Sequence, residues 1–163
     1  MRFAIGDLII YGETGVCRVE DILEKEFLDG CKECYKLMPV YSSCAIFTPT
    51  DNANVYIRPI VTHSEADGIV NTFRTIDPEV HTASSPRELS EKYDKIIKLH
   101  DCNALVELIV SIHKKRDIMI AQKKKLSAID ERFLKKAEDL LFGELAVALE
   151  IDKASVREYL NTK

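Results

Sequence analysis

Tryptophan is absent from these 163 residues, and glycine and proline are scarce, at six and five. So few breakers exclude collagen-like and low-complexity architectures and leave room for regular elements. No apolar run approaches the ~20 residues that span a bilayer. The opening Met1-Arg2-Phe3 leads into a strand pattern and lacks the charged-then-apolar layout of a secretory signal. A cytoplasmic protein with no membrane partner is therefore expected. Basic residues are not in excess either, because the formal net charge is -4, so there is no global footprint for nucleic acid. The five cysteines (17, 31, 34, 44 and 102) are odd in number and lack the spacing of a secreted scaffold, which points to reduced thiols.

What is present is a globular profile, 46% apolar and 31% charged. Residues 1–76 carry 7 Lys/Arg against 11 Asp/Glu, and residues 77–163 carry 16 of each. An acidic first half suits a protein partner, and any nucleic-acid contact belongs locally in the second.

The two halves also differ in period. Short β-branched or aromatic runs at Leu8–Tyr11, Val16–Val19, Tyr35–Val40, Ala45–Phe47 and Asn54–Ile57 alternate with turn chemistry. Five short strands at such intervals predict a small antiparallel barrel, packed inside and binding from outside. After Pro59 helix signals take over. A short helix opens at Ser64-Glu65 and ends near Phe73. Ser85-Pro86-Arg87-Glu88 supplies an N-cap, a first-turn proline and a glutamate three residues on. Asp101 caps a helix with Leu105, Leu108, Ile109 and Ile112 on one face. Ser127 opens another with Ile129, Phe133, Leu134, Ala137, Leu140, Leu141 and Leu145 as its stripe. A last short helix starts at Asp152 or Ser155. The expected fold is α+β: a small N-terminal antiparallel β-barrel followed by an all-helical bundle. The expected domains are 1–74 with the short helix trailing the barrel, a linker at 75–85, and a helical domain at 86–163.

Gly12-Glu13-Thr14-Gly15 could be mistaken for a phosphate loop. A Walker loop needs four residues between its glycines, then Lys-Ser/Thr and a helix, and a dinucleotide fingerprint also opens a helix. Here two residues separate the glycines and a strand follows, so the helix N-terminus that would hold an anion is missing. Gly15 is expected at positive φ in a hairpin turn.

Cys31-Lys32-Glu33-Cys34 is half a zinc site, which Cys17 or Cys44 would have to complete. No second pair exists, and the motif enters a strand rather than opening a helix as a thioredoxin-like pair would. His63, His81, His100 and His113 are scattered without a nucleophile or carboxylate in a recognised order. No catalytic residue, metal or cofactor is expected, and the protein is read as a non-enzyme.

Phe3, Gly6-Asp7, an apolar run ending in Tyr11, then Gly15-Val16 and Val19 resemble the opening of the CarD/CdnL family of bacterial transcription regulators. That family usually reads Phe-x-x-Gly-Asp-x-Val-Val-Tyr-Pro-x-His-Gly-Val-Gly. The likeness continues through Tyr35-Lys36-Leu37, Pro49-Thr50-Asp51-Asn52 and Ile57-Arg58-Pro59. It resumes at Ala104-Leu105-Val106-Glu107 and in Ser127…Glu131-Arg132…Leu134-Lys135-Lys136-Ala137…Leu141…Glu144-Leu145-Ala146. The resemblance implies that the N-terminal barrel is SH3/Tudor-like and docks on the β subunit of RNA polymerase. It also implies a helical domain that touches promoter DNA at the upstream edge of the melted bubble, where a family tryptophan wedges into the minor groove.

Carried over position by position, the resemblance assigns polymerase binding to Lys25 and Phe27 in the second strand, with a solvated strand residue between acids as an equal reading of Lys25. A second family arginine falls on Phe47, which either offers an aromatic anchor or fills the barrel, the interior reading being preferred. The family tryptophan has no counterpart. Its neighbourhood, Ser85 to Tyr93, offers Leu89 or Tyr93 as apolar substitutes, and either also suits the core. The DNA-binding candidates are Arg87, Lys92, Tyr93, Lys95, Lys115, Arg116 and Arg132. Lys114-Lys115-Arg116 and Lys123-Lys124-Lys125 near helix ends also answer to the helix dipole alone. Segment 117–126 is longer than usual for the family by about one helical turn. Activator or repressor character and oligomeric state are left open. A polymerase adaptor without DNA contact, or a zinc or thiol protein built on Cys31 and Cys34, are the alternatives.

Overall fold

A computed structural model describes residues 2–27 and 30–162, with the side chains of Phe27 and Cys31 outside the description. The chain forms two compact units, Met1–Ile60 and Val61–Lys163.

The first unit is a five-stranded antiparallel sheet made of β1 (Leu8–Tyr11), β2 (Gly15–Phe27), β3 (Gly30–Pro39), β4 (Ile46–Pro49) and β5 (Ile57–Pro59). The order is β4-β3-β2-β1-β5, so β4 and β5 are the edges. Its core gathers Phe3, Ile9, Cys17, Val19, Tyr35 and Leu37. Two polar devices close it. The buried Tyr35 hydroxyl accepts from Phe3 N at 3.0 Å, tying the leading segment to the sheet. Asp7 accepts from Ala4 N at 2.8 Å in a turn where Gly6 takes φ 96°, the reason for the Gly-Asp pair.

The glycine link is structural. Gly12 to Thr14 form one 3-10 turn and Gly15 takes φ 90°, as the hairpin reading requires. Gly12 N donates to Tyr56 O at 2.8 Å, and a Cβ there would meet Val55 Cγ1 at 3.0 Å. Its glycine makes room for a neighbouring loop, not for a phosphate.

Two strands depart from expectation. β2 and β3 run on as a ribbon paired from Asp21↔Lys36 to Phe27↔Gly30, past an irregularity between Val19 and Asp21. The Glu24-Lys25-Glu26 charges hide the outer part of this ribbon, which shows no apolar alternation. The turn expected at Asp29-Gly30 falls partly outside the described residues. β5 begins at Ile57, where the strand expected at 54–57 ends. Asn54 instead donates its backbone N–H to Asn52 Oδ1 at 2.9 Å, in a turn stabilised further by Asn52 Nδ2 donating to Thr48 Oγ1 at 3.0 Å.

The second unit holds α1 (His63–Thr75), α2 (Pro86–Ile97), α3 (Cys102–Ala121), α4 (Ala128–Leu149) and α5 (Val156–Asn161). Thr62 and Glu65 form a reciprocal capping box on α1, and Ser85, Asp101 and Ser127 cap α2, α3 and α4. These are worth ~1 kcal/mol each. The expected faces of α3 and α4 are the buried ones, with Ile129 and Leu140 partly covered. The helix expected to trail the barrel packs elsewhere: Ala66, Ile69 and Val70 of α1 lie in the helical core. The stretch 76–85 has no regular secondary structure but is held by side chains of the same unit. Lys114 Nζ lies 2.9 Å from Asp77 and donates to Pro78 O at 3.2 Å, while Lys92 Nζ donates to Thr82 O at 2.6 Å.

Candidate docking and nucleic-acid surfaces

In the sheet unit, two residues far apart in sequence meet. Strand register places Phe47 beside Lys36, and Lys36 beside Asp21. Lys25, four residues along β2 from Asp21, lies on the same face. Its ammonium sits 3.5 Å from the Phe47 ring centroid, a cation–π contact worth about 0.5–1 kcal/mol at an exposed site. Phe47 is 36% exposed, which corrects the preference for an interior filler. The core beneath β4 is supplied by its neighbour Ile46. The side chain of Phe27 lies outside the described residues. Around the pair, β4 is an edge strand, and beyond Val19 β2 pairs with β3 alone among the described strands. Both edges leave backbone groups able to pair with another chain. Lys36 is held by Glu20 at 3.1 Å, so Lys25 stacked on Phe47 is the prominent cation–aromatic feature of this rim.

Among the described residues Cys17, Cys34, Cys44 and Cys102 are free thiols. Cys17 and Cys34 are buried and Cys44 is exposed. Burial pushes the Cys17 thiol up to about 11 and also raises Cys34, with the Lys25 charge acting weakly in the opposite sense. Among the described residues no three His, Cys, Asp or Glu side chains group as a metal site.

The expected DNA contacts in the helical unit are distributed unevenly. Tyr93 is 0% exposed. Its hydroxyl donates to Asp130 Oδ1 at 2.6 Å, and its ring packs edge-on to His81 and tilted against Phe133. Leu89 is buried as well. Neither presents itself to a duplex, because the apolar stripe that suits a wedge also suits a core, and here the core takes it. Lys115 lies 3.0 Å from Asp130 and is mostly covered. Lys92 spans Thr82 O and, at 3.8 Å, Glu88. Arg87 pairs with Glu91 at 3.2 Å while staying exposed. Arg132 donates to Ser90 Oγ at 3.1 Å and lies over the Phe133 ring. It borders an open groove of about 300 Å³ with Glu91, Asp94 and Lys136. Lys95 is exposed and Arg116 half-buried, without a side-chain partner among the described residues.

Burial pushes the Asp130 carboxyl up, but hydrogen bonds from Tyr93, Lys115 and Ser127 outweigh it and hold the group below its usual range. Glu138 behaves alike: burial raises it, and His113 and Arg157 more than compensate. These buried carboxylates organise helices. Each is saturated by partners on neighbouring segments, as a structural anion requires.

The architecture is thus α+β, a small Tudor-like antiparallel sheet module followed by a helical one. Residues 3–61 match the family model described as CarD-like/TRCF RID domain, and residues 92–161 match CarD, C-terminal domain. YdeB of Bacillus subtilis (strain 168), named as a candidate transcription factor, is 26% identical over 159 residues, covering 96% of this chain and 99% of its own. The chain belongs to the CarD-like family of transcription regulators. No described helix is long and apolar enough to cross a membrane.

Proposed function

We propose that this chain is a non-enzymatic, cytoplasmic transcription regulator. Its sheet unit binds the β subunit of RNA polymerase, and its helical unit acts on promoter DNA near the upstream edge of the bubble. The observation that carries the reading is the Lys25–Phe47 pair on an open-edged sheet. The residues matched to the family's docking positions meet at the rim where a partner strand can add. Backbone pairing supplies affinity and the exposed side chains supply specificity. Attachment of one unit raises the effective concentration of the other at its target, so weak DNA contacts suffice. Purified full-length protein should be retained by the β-subunit lobe at micromolar concentrations; absence of retention overturns the docking step. Open complexes should decay at a different rate when it is present.

A second reading, a polymerase-bound adaptor that leaves DNA alone, draws on the burial of Tyr93 and Leu89 and on the engagement of Lys92 and Lys115. An unchanged open-complex lifetime with intact polymerase binding would favour it.

A further inference from the structure

Among the described residues, one buried side-chain polar atom lacks a hydrogen-bond partner, His81 Nε2. Buried polar groups are nearly always satisfied, so an orphan calls for an explanation. The ring packs edge-on to Tyr93, with centroids 5.9 Å apart and planes at 84°, and an aromatic ring is at best a weak acceptor. The segment that carries His81 is fastened by side chains. From residue 77 to 83 no backbone N–H donates a hydrogen bond among the described residues. Ile76 and Ala83 pack on the helical core and Pro78 is buried. Lys114 Nζ holds Asp77 and Pro78 O, and Lys92 Nζ holds Thr82 O. A stretch with so few backbone bonds belongs to the low-stability end of a fold.

A neutral imidazole can leave one nitrogen as a bare lone pair, whereas the charged ring must donate from both. A proton on Nε2 would bury an N–H and a charge with nothing to accept them. The charged groups around the ring do not relieve this. Asp130 of α4 is taken by Tyr93, Lys115 and Ser127. Glu88 of α2 accepts from Ser84 N, and Asp77 binds Lys114; Glu79 is exposed. The cations oppose a further positive charge: Lys92 on α2, Lys114 and Lys115 on α3, and Arg132 of α4 over the Phe133 ring that abuts Tyr93. Arg74 of α1 is held on the Tyr159 and Leu160 carbonyls of α5.

We propose that residues 76–85 form a proton-sensitive strap: charging His81 on mild acidification releases the segment from Tyr93 and from the Lys92 and Lys114 ammonium groups. While the docked ring stays neutral, each pH unit below its free titration raises the released fraction up to tenfold. Release uncovers the Tyr93 ring and returns Lys92 to solvent, so the strap withholds part of the α2 surface at neutral pH. The strap is read without DNA and stands whether or not the helical unit binds a promoter.

The test is backbone nitrogen-15 relaxation with a His81 ring titration on full-length protein between about pH 7.5 and 5.5, the range where imidazoles change charge. Asp130 and Glu138, held below their usual range, stay ionised there. Wild-type order parameters for residues 77–83 should fall from about 0.85 to below about 0.6. The Overhauser contact between the His81 and Tyr93 rings should vanish as the imidazole charges. His81→Phe keeps a ring on Tyr93 without a titrating nitrogen and should stay ordered throughout; His81→Gln makes the same comparison if His81→Phe does not fold. His113→Phe should respond as wild type does. An ordered strap at pH 5.5 in wild type, whether its ring is charged or neutral, would overturn the proposal, as would tightening by cation–π attraction to Tyr93. So would an equal loss of order in the His81 variant, or a response abolished by His113→Phe. Promoter-duplex binding at both pH values is a separate readout: none at either counts against the DNA half of the proposed function and leaves the strap result intact.

Discussion

The Tyr93 hydroxyl donates to Asp130 Oδ1 at 2.6 Å, joining α2 to the first turn of α4 inside the helical core. Lys115 Nζ of α3 completes the join at 3.0 Å, and Ser127 Oγ, the α4 cap, reaches Oδ2 at 2.8 Å. One carboxylate therefore holds three helices together at one end of the bundle.

Asp130→Ala should destabilise the helical unit by about 3–5 kcal/mol, because it strands Lys115 in a covered site. Tyr93→Phe should cost about 1.5–3 kcal/mol, the range for a hydrogen bond to a charged group. The same carboxylate sets a pH dependence. Its folded-state pKa lies below its unfolded value, so the unfolded chain takes up the proton first. The stability it confers is complete above about pH 4–5 and is lost as pH falls through the folded pKa. Glu138 contributes in the same direction. Denaturant melts from pH 7 to 3 should show a steep acid limb, and Asp130→Asn should flatten it; an unchanged limb would show that Asp130 is not linked to folding.

The Lys25–Phe47 contact should be measurable as a coupling. Each single change, Lys25→Ala and Phe47→Ala, should weaken binding to the β-subunit lobe while leaving the Tm nearly unchanged, since both side chains are exposed. In a double-mutant cycle on binding, the coupling should be about 0.5–1 kcal/mol. Additive losses would mean that the two residues act on the partner separately.

Much of this architecture could be read from the chain because local chemistry and burial agree. Ser85-Pro86 and Asp101 cap the helices they announce, and the Leu105-Leu108-Ile109-Ile112 face is buried. What escaped reading lies where apolar patterning falls silent. The outer end of the β2–β3 ribbon, Glu24 to Phe27, is strand without apolar alternation, so pairing with β3, not sequence, reveals it. Tyr93 misleads in the opposite way, because an aromatic beside basic residues looks like a wedge until Asp130, thirty-seven positions later, claims its hydroxyl. Whether Phe47 points in or out is decided by register alone, since a one-residue slip exchanges it with Ile46.

The thiols should separate by accessibility. Cys44 is exposed and Cys17, Cys34 and Cys102 are buried, with Cys17 and Cys34 further protected by raised pKa values. Iodoacetamide at pH 7.5 followed by peptide mapping should label Cys44 first and the three buried sites only on unfolding. Metal analysis of protein purified without chelator should return a zinc stoichiometry near zero. Zinc near one equivalent, or fast labelling of Cys34, would revive the thiol alternative.

Glu150 offers a gain in stability at the C-terminal end of α4. α4 closes on it in the left-handed region, φ 57° and ψ 43°. Ile151 N donates back to Ala146 O at 2.9 Å, and Glu150 N to Val147 O at 3.3 Å. That is the helix-closing geometry in which glycine avoids the Cβ penalty, about 1 kcal/mol for most residues. The side chain is exposed, and a glutamate carboxylate at this end also opposes the helix dipole. Glu150→Gly should therefore stabilise the helical unit by about 1 kcal/mol, even though the unfolded chain gains freedom. Thermal melts of wild type and variant decide it: a higher Tm with unchanged polymerase binding is expected. A lower Tm would mean that the glutamate side chain contributes more to this closure than its backbone conformation costs.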